Sequence, residues 1–266
     1  MKKMIYDIRS SKVALQTLVR LTNVPANIWE QYLGKERDYR YTEDLVEEVI
    51  NKHGHLPANY RDFEFIYFHI TTSSNSCASF YKYGILDLKE SYSRSDSELR
   101  MFLEQNNISI DLNACTLTYG NKQFDISYGK SPRQYTQEYY CWCIGRKFFY
   151  DYTTCGFLSI WDRSPYGGYV HHRPEILSDI DNLLGLNLSS KWAMSHAAYE
   201  IVVKISGEYI VYNSDDDNTD EEKVIDYLTR AYLTAFGEPH EDVLLIKNGI
   251  QIPPSNILQI NRFTTW

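Results

Sequence analysis

The chain has 266 residues, 43% hydrophobic and 15% aromatic, which is ample for a large core. A net charge of −8 and a pI near 5.4 exclude long-range steering to nucleic acid by a basic surface, though not a nucleic acid bound locally. No run of about 18 apolar residues occurs, so no membrane span is expected.

Residues 1–60 read as a helical N-terminal extension. Within 12–21, Val13, Leu15, Leu18, Val19 and Leu21 fall at helical spacings. Pro25 can open a second short helix carrying Ile28, Trp29 and Leu33. Thr42 can cap a third, with Leu45, Val46, Val49 and Ile50 along one face and Gly54 at its end. From Phe63 the signals turn to strands, so a second unit is expected over 61–266.

Phe65-Ile66-Tyr67-Phe68 is a continuous β-favouring run that would deliver His69 at the end of a buried strand. Residues 75–83 have the length of a short helix, and Gly84 suits the position just beyond it. A helix is expected over 97–106, then short strands over 108–112, 116–119 and 123–128, separated by Asn and Gly turns. Residues 139–150 and 157–161 are rich apolar runs, and 174–184 read as a helix. Strands over 199–205 and 208–212 would meet at Ser206-Gly207 in a hairpin. An amphipathic helix over 221–236 and strands over 242–246 and 257–263 close the chain. Short strands without regular βαβ repeats give an α+β class.

The five cysteines are an odd number, and the N-terminus lacks the apolar stretch of a secretion signal, so a reduced, cytoplasmic protein is expected. Cys141-Trp142-Cys143 has no second pair to complete a zinc site. His171 and His172 are adjacent, and would diverge on a strand, so no metal is expected. No Gly-rich phosphate loop or dinucleotide fingerprint is present.

Three segments complete a pattern around His69. They are Phe68-His69-Ile70-Thr71, the stretch from Gly156 through Phe157, Ser159 and Tyr166 to Tyr169, and Glu241-Asp242-Val243-Leu244-Leu245. Together they resemble the ADP-ribosyltransferase superfamily, in its histidine–tyrosine–glutamate, poly-ADP-ribose polymerase and diphtheria toxin-like branch. The resemblance covers about 63–263. It implies a split antiparallel sheet core and NAD as substrate. It also implies that His69, Ile70, Thr71, Phe157, Ser159, Tyr166 and Tyr169 hold NAD. Either Tyr166 or Tyr169 would stack on nicotinamide, and Glu241 would act at the reacting centre. Glu208, in Gly207-Glu208-Tyr209, is a competing carboxylate. Arginine-specific members carry two glutamates one residue apart. Here Glu238 and Glu241 are three apart, so arginine specificity is not implied.

The chemistry suits these residue types. The nicotinamide of NAD is a cationic ring that aromatic faces attract. Cleaving its glycosidic bond creates an oxocarbenium-like ribose, which a carboxylate stabilises. The implied partners are NAD, a protein or nucleic-acid acceptor and an antitoxin-type protein, in a toxin or anti-phage role. NAD hydrolysis and a catalytically degenerate binding module are the alternatives.

Overall fold

The computed structural model describes residues 3–32, 39–127, 129–150, 154–160, 169–212, 217–237 and 241–263. The first part runs β1 (Met4–Asp7), α1 (Ser11–Thr22), α2 (Ala26–Gln31), α3 (Tyr39–His53) and β2 (Phe63–Ser73). Next come α4 (Ala78–Tyr83), α5 (Leu88–Ser93), α6 (Glu98–Gln105), β3 (Ile108–Asp111), β4 (Thr116–Tyr119), β5 (Lys122–Asp125) and α7 (Gln137–Phe149). The last part is β6 (Cys155–Ser159), α8 (Ile176–Leu184), α9 (Leu188–Ser195), β7 (Ala197–Ser206), β8 (Ile210–Val211), α10 (Asp220–Phe236), β9 (Asp242–Ile246) and β10 (Ile257–Arg262).

The main sheet is mostly antiparallel, in the order β10-β7-β2-β6-β9-β8. Along one side β2 pairs with β7 from Glu64 to Ser73. The other side is shared: β1 pairs in parallel over Phe63 to Ile66, and β6 lies antiparallel with Phe68 opposite Phe157. The sheet therefore forks at β2. β3, β4 and β5 form a separate three-stranded meander.

Alternation along β2 assigns its two faces. Phe63, Phe65 and Tyr67 enter the larger core with Tyr6, Leu18 of α1, Val49 of α3 and Leu228 of α10. Tyr6, Phe65 and Tyr227 pack ring on ring, with centroids 4.9–5.5 Å apart. Ile66, Phe68 and Ile70 form a small cluster on the opposite face with Phe157 and Val202. A second core joins the meander to α6, α7, α8 and α9 through Leu103, Leu117, Phe148, Ile180 and Trp192. α10 is tied to β9 by Arg230, which binds Asp226 at 2.8 Å and Asp242 at 2.5 Å.

Several expectations need correcting. Residues 4–7 are a strand of the main sheet, and α1 and α3 share its core. Four residues are too few for a period to register. Thr42 is not a cap: α3 opens at Tyr39, and Thr42 is buried within it. The run over 139–150 is helical because Cys141, Ile144, Gly145 and Phe148 fall on one inward face. Ser206-Gly207 is not a hairpin turn. A 3-10 turn over Gly207–Tyr209 follows β7, and β8 pairs with β9. A Cβ on Gly207 would lie 2.3 Å from the Tyr60 carbonyl, so this glycine serves a close approach. α9 had no sequence expectation. Asp181 opens it, accepting the amides of Leu188 at 2.5 Å and Ser189 at 2.9 Å. His171 and His172 lie in a turn, where His171 packs on Phe263 at 4.5 Å.

Gly156 lets β6 meet β2. A Cβ there would stand 2.3 Å from the Phe68 carbonyl and 2.4 Å from the Tyr67 ring, which is fully buried. Gly156→Ala should destabilise the fold by roughly 1–3 kcal/mol in urea titration. An unchanged midpoint would show that the two strands are not packed this closely.

Candidate functional site

The candidate site arises from unequal strand lengths. Since Phe68 lies opposite Phe157, Cys155 stands level with Ile70, and β6 begins there. β2 continues to Ser73. Among the described residues, no strand pairs with that side of β2 beyond Ile70. Backbone N–H and C=O groups on such an edge seek partners.

A cavity of about 300 Å³ opens beside this edge. His69, Ile70, Thr71 and Thr72 form its floor, Phe80 and Tyr83 of α4 one wall, and Thr154 and Cys155 the start of β6. Arg94, Glu98, Arg173 and Trp192 complete the lining from the side of the second core, the second lobe of the molecule. The volume is at the small end for ligand sites and suits half of a dinucleotide.

His69 is half-buried, with Nδ1 3.0 Å from the Cys155 carbonyl oxygen. A carbonyl only accepts, so Nδ1–H donates, and the neutral ring leaves Nε2 as an acceptor. Withdrawal from water holds the His69 pKa below the ordinary imidazole range, partly offset by this bond. The ring lies 6.0 Å from that of Phe80.

Glu98, the first residue of α6, fixes the chain where β2 ends. It accepts from Ser73 Oγ at 2.7 Å, and from the Ser74 amide and hydroxyl at 2.6 Å each. His196 Nε2 stands 3.5 Å away, and its ring stacks on Trp192 with centroids 3.5 Å apart. Trp192 Nε1 donates to Thr72 Oγ1 at 2.8 Å. Two adjacent β2 residues are thus bound to the second lobe. Ser73 and Thr72 gave no sequence signal for these bonds, because their partners lie 25 and 120 residues away. Thr154, also on the cavity, buries its hydroxyl without a hydrogen-bond partner among the described residues.

The expected site residues are only partly brought together. His69, Ile70 and Thr71 line the cavity, with the Ile70 side chain in the small core on the other face. Phe157 packs in that same small core, and Ser159 is buried at the far end of β6. Glu241 precedes Asp242, which lies opposite Ser159. The strand rise puts that level about 13 Å from the Cys155 end, where His69 sits. Glu241 is not among the residues lining the cavity; Glu98 is. Tyr169 is 66% exposed, and only its neighbour Val170 lines the cavity. Tyr166 and Glu238 lie outside the described residues. Glu208 sits in the 3-10 turn near the start of β2, since its neighbour Ser206 pairs with Glu64.

Among the described residues, no group of three His, Cys, Asp or Glu side chains could hold a metal ion. No described helix is long and apolar enough to cross a membrane. No family model, curated protein or solved structure matches the chain.

The lowered His69 pKa gives a signed pH dependence. As pH falls through about 6.5, the unfolded chain takes up a proton that the folded ring resists, so stability drops until the lower folded pKa is passed. His196 is shifted in the same direction, by burial. Urea midpoints from pH 7 to pH 5 should fall less in His69→Gln than in the parent protein. Equal falls would mean that His69 is not held neutral by burial.

Proposed function

We propose that the His69 cavity binds the nicotinamide half of NAD, and that the protein transfers ADP-ribose from NAD to a macromolecular acceptor. One observation carries this reading: a histidine whose Nδ1 is turned to the Cys155 carbonyl, beside a strand edge that no described strand covers, within one small cavity that also holds an aromatic wall and a carboxylate. The open edge at Thr71 and Thr72 offers the paired donor and acceptor that a carboxamide requires. Nε2 of His69 accepts from a ribose hydroxyl. Phe80 is the ring wall, because the Tyr83 ring already carries Lys82 at 4.6 Å and Arg94 at 4.8 Å.

Departure of nicotinamide leaves positive charge on the ribose. A carboxylate fixed in advance lowers that barrier without reorganising. Glu98, held by Ser73 and Ser74, is the carboxylate this cavity offers. It takes the role that the resemblance implies for Glu241. The acceptor, protein or nucleic acid, approaches from solvent. A toxin-type role and an antitoxin-type partner rest on the resemblance alone.

The purified protein should release nicotinamide from NAD and pass labelled ADP-ribose to protein or RNA. His69→Ala should lower release about a hundredfold through lost positioning. Glu98→Gln should lower it comparably, while Glu241→Gln keeps most of it. Release with only free ADP-ribose would replace transfer by hydrolysis. No release under any condition would overturn the reading. Loss in Glu241→Gln with retention in Glu98→Gln would return the carboxylate role to Glu241.

A further inference from the structure

We infer that Arg94 and Arg173 form a phosphate-binding pair on the His69 cavity, so that its ligand is a phosphorylated nucleoside rather than a free base or nucleoside. The inference deepens the NAD reading, on which it rests only for the identity of the nucleoside.

The two arginines come from different elements. Arg94 follows α5, and Arg173 lies just before α8, yet both line the same cavity. Arg94 is exposed and Arg173 half-buried, as groups near a mouth would be. Among the described residues, neither guanidinium makes an ion pair. Arg173 has one long hydrogen bond, 3.4 Å to the Pro174 carbonyl, and Arg94 has its stacking on Tyr83. Stacking fixes the plane of a guanidinium and leaves its N–H edge free, the arrangement that suits bidentate phosphate contact.

The carboxylates on the cavity are engaged in another way. Asp96 is bound by Lys82 and by the Tyr83 hydroxyl, each at 3.0 Å. Asp87 caps α5, accepting the Glu90 amide at 2.8 Å. Glu98 is satisfied by Ser73 and Ser74. The negative groups already have donors, whereas among the described residues neither guanidinium is bound to a carboxylate. The Thr154 hydroxyl, buried and without a hydrogen-bond partner among the described residues, is a further donor on the same cavity. Two guanidinium groups without a carboxylate hydrogen-bonded to them, beside satisfied anions, call for an anionic ligand despite the acidic chain.

Calorimetric titration of the 266-residue chain tests this, with three probes: nicotinamide riboside, nicotinamide mononucleotide and inorganic pyrophosphate. The mononucleotide should bind at least about tenfold tighter than the riboside, as one charge-assisted contact predicts. Arg173→Gln and the exposed Arg94→Gln should each erase most of that difference, and added salt should reduce it. Equal binding of the two nicotinamide compounds, with no pyrophosphate binding, would overturn the inference and leave the NAD reading to its own assay. Pyrophosphate bound and lost in both arginine variants, with no nicotinamide compound bound, would uphold the anion site and overturn the NAD reading. A phosphate preference that survives both substitutions would also overturn the arginine assignment.

Discussion

The length of β2 governs the rest of the architecture. It has 11 residues, while β1 and β6, which share one of its sides, have 4 and 5. Among the described residues, two short strands meet a long one from the same side and stop short of its end. β7, of 10 residues, covers the other side from Glu64 to Ser73. An open edge must then be satisfied from elsewhere, because unpaired backbone groups are costly once they leave water. The cavity is the space that this mismatch leaves, and His69 closes its inner corner by donating to the first carbonyl of β6, at Cys155.

The second lobe completes the site through polar contacts with the same strand. Glu98 holds Ser73 and Ser74, and Trp192 donates to Thr72, so α6 and α9 are anchored where β2 emerges. Each lobe has its own apolar core. At the end of β2 the join between them includes the charge-assisted bonds of Glu98 and the indole N–H of Trp192. Such bonds are directional, and they fix side chains on the cavity wall more closely than apolar packing would. The carboxylate that supports the strand end is thereby also presented to the cavity.

Much of the fold was legible in the sequence, for definable reasons. The run Phe65-Ile66-Tyr67-Phe68 is apolar on both faces because both faces of β2 are covered, by the larger core and by the small cluster with Phe157. α1, α8 and α10 carried clear apolar stripes, and Gly84 ends α4 at a φ of 77°. What stayed hidden depended on distant partners. β1 is a strand only because β2 lies beside it, and Glu98 gave no sign of its role because Ser73 and Ser74 are reached through space. Glu241 was legible as a glutamate leading a strand, which it is. Its distance from His69 follows from the register of β6 against β2 and β9, which no local pattern encodes. The stacking of Arg94 on Tyr83 likewise joins residues 11 apart and leaves no local pattern.

The central claim is that ligand binds on the open edge of β2. Amide hydrogen exchange, with and without excess NAD, tests it most directly. The account predicts slowed exchange across residues 70–74 in the parent protein and no slowing there in His69→Ala. Protection confined to residues 241–246, or no change anywhere along β2, would contradict it.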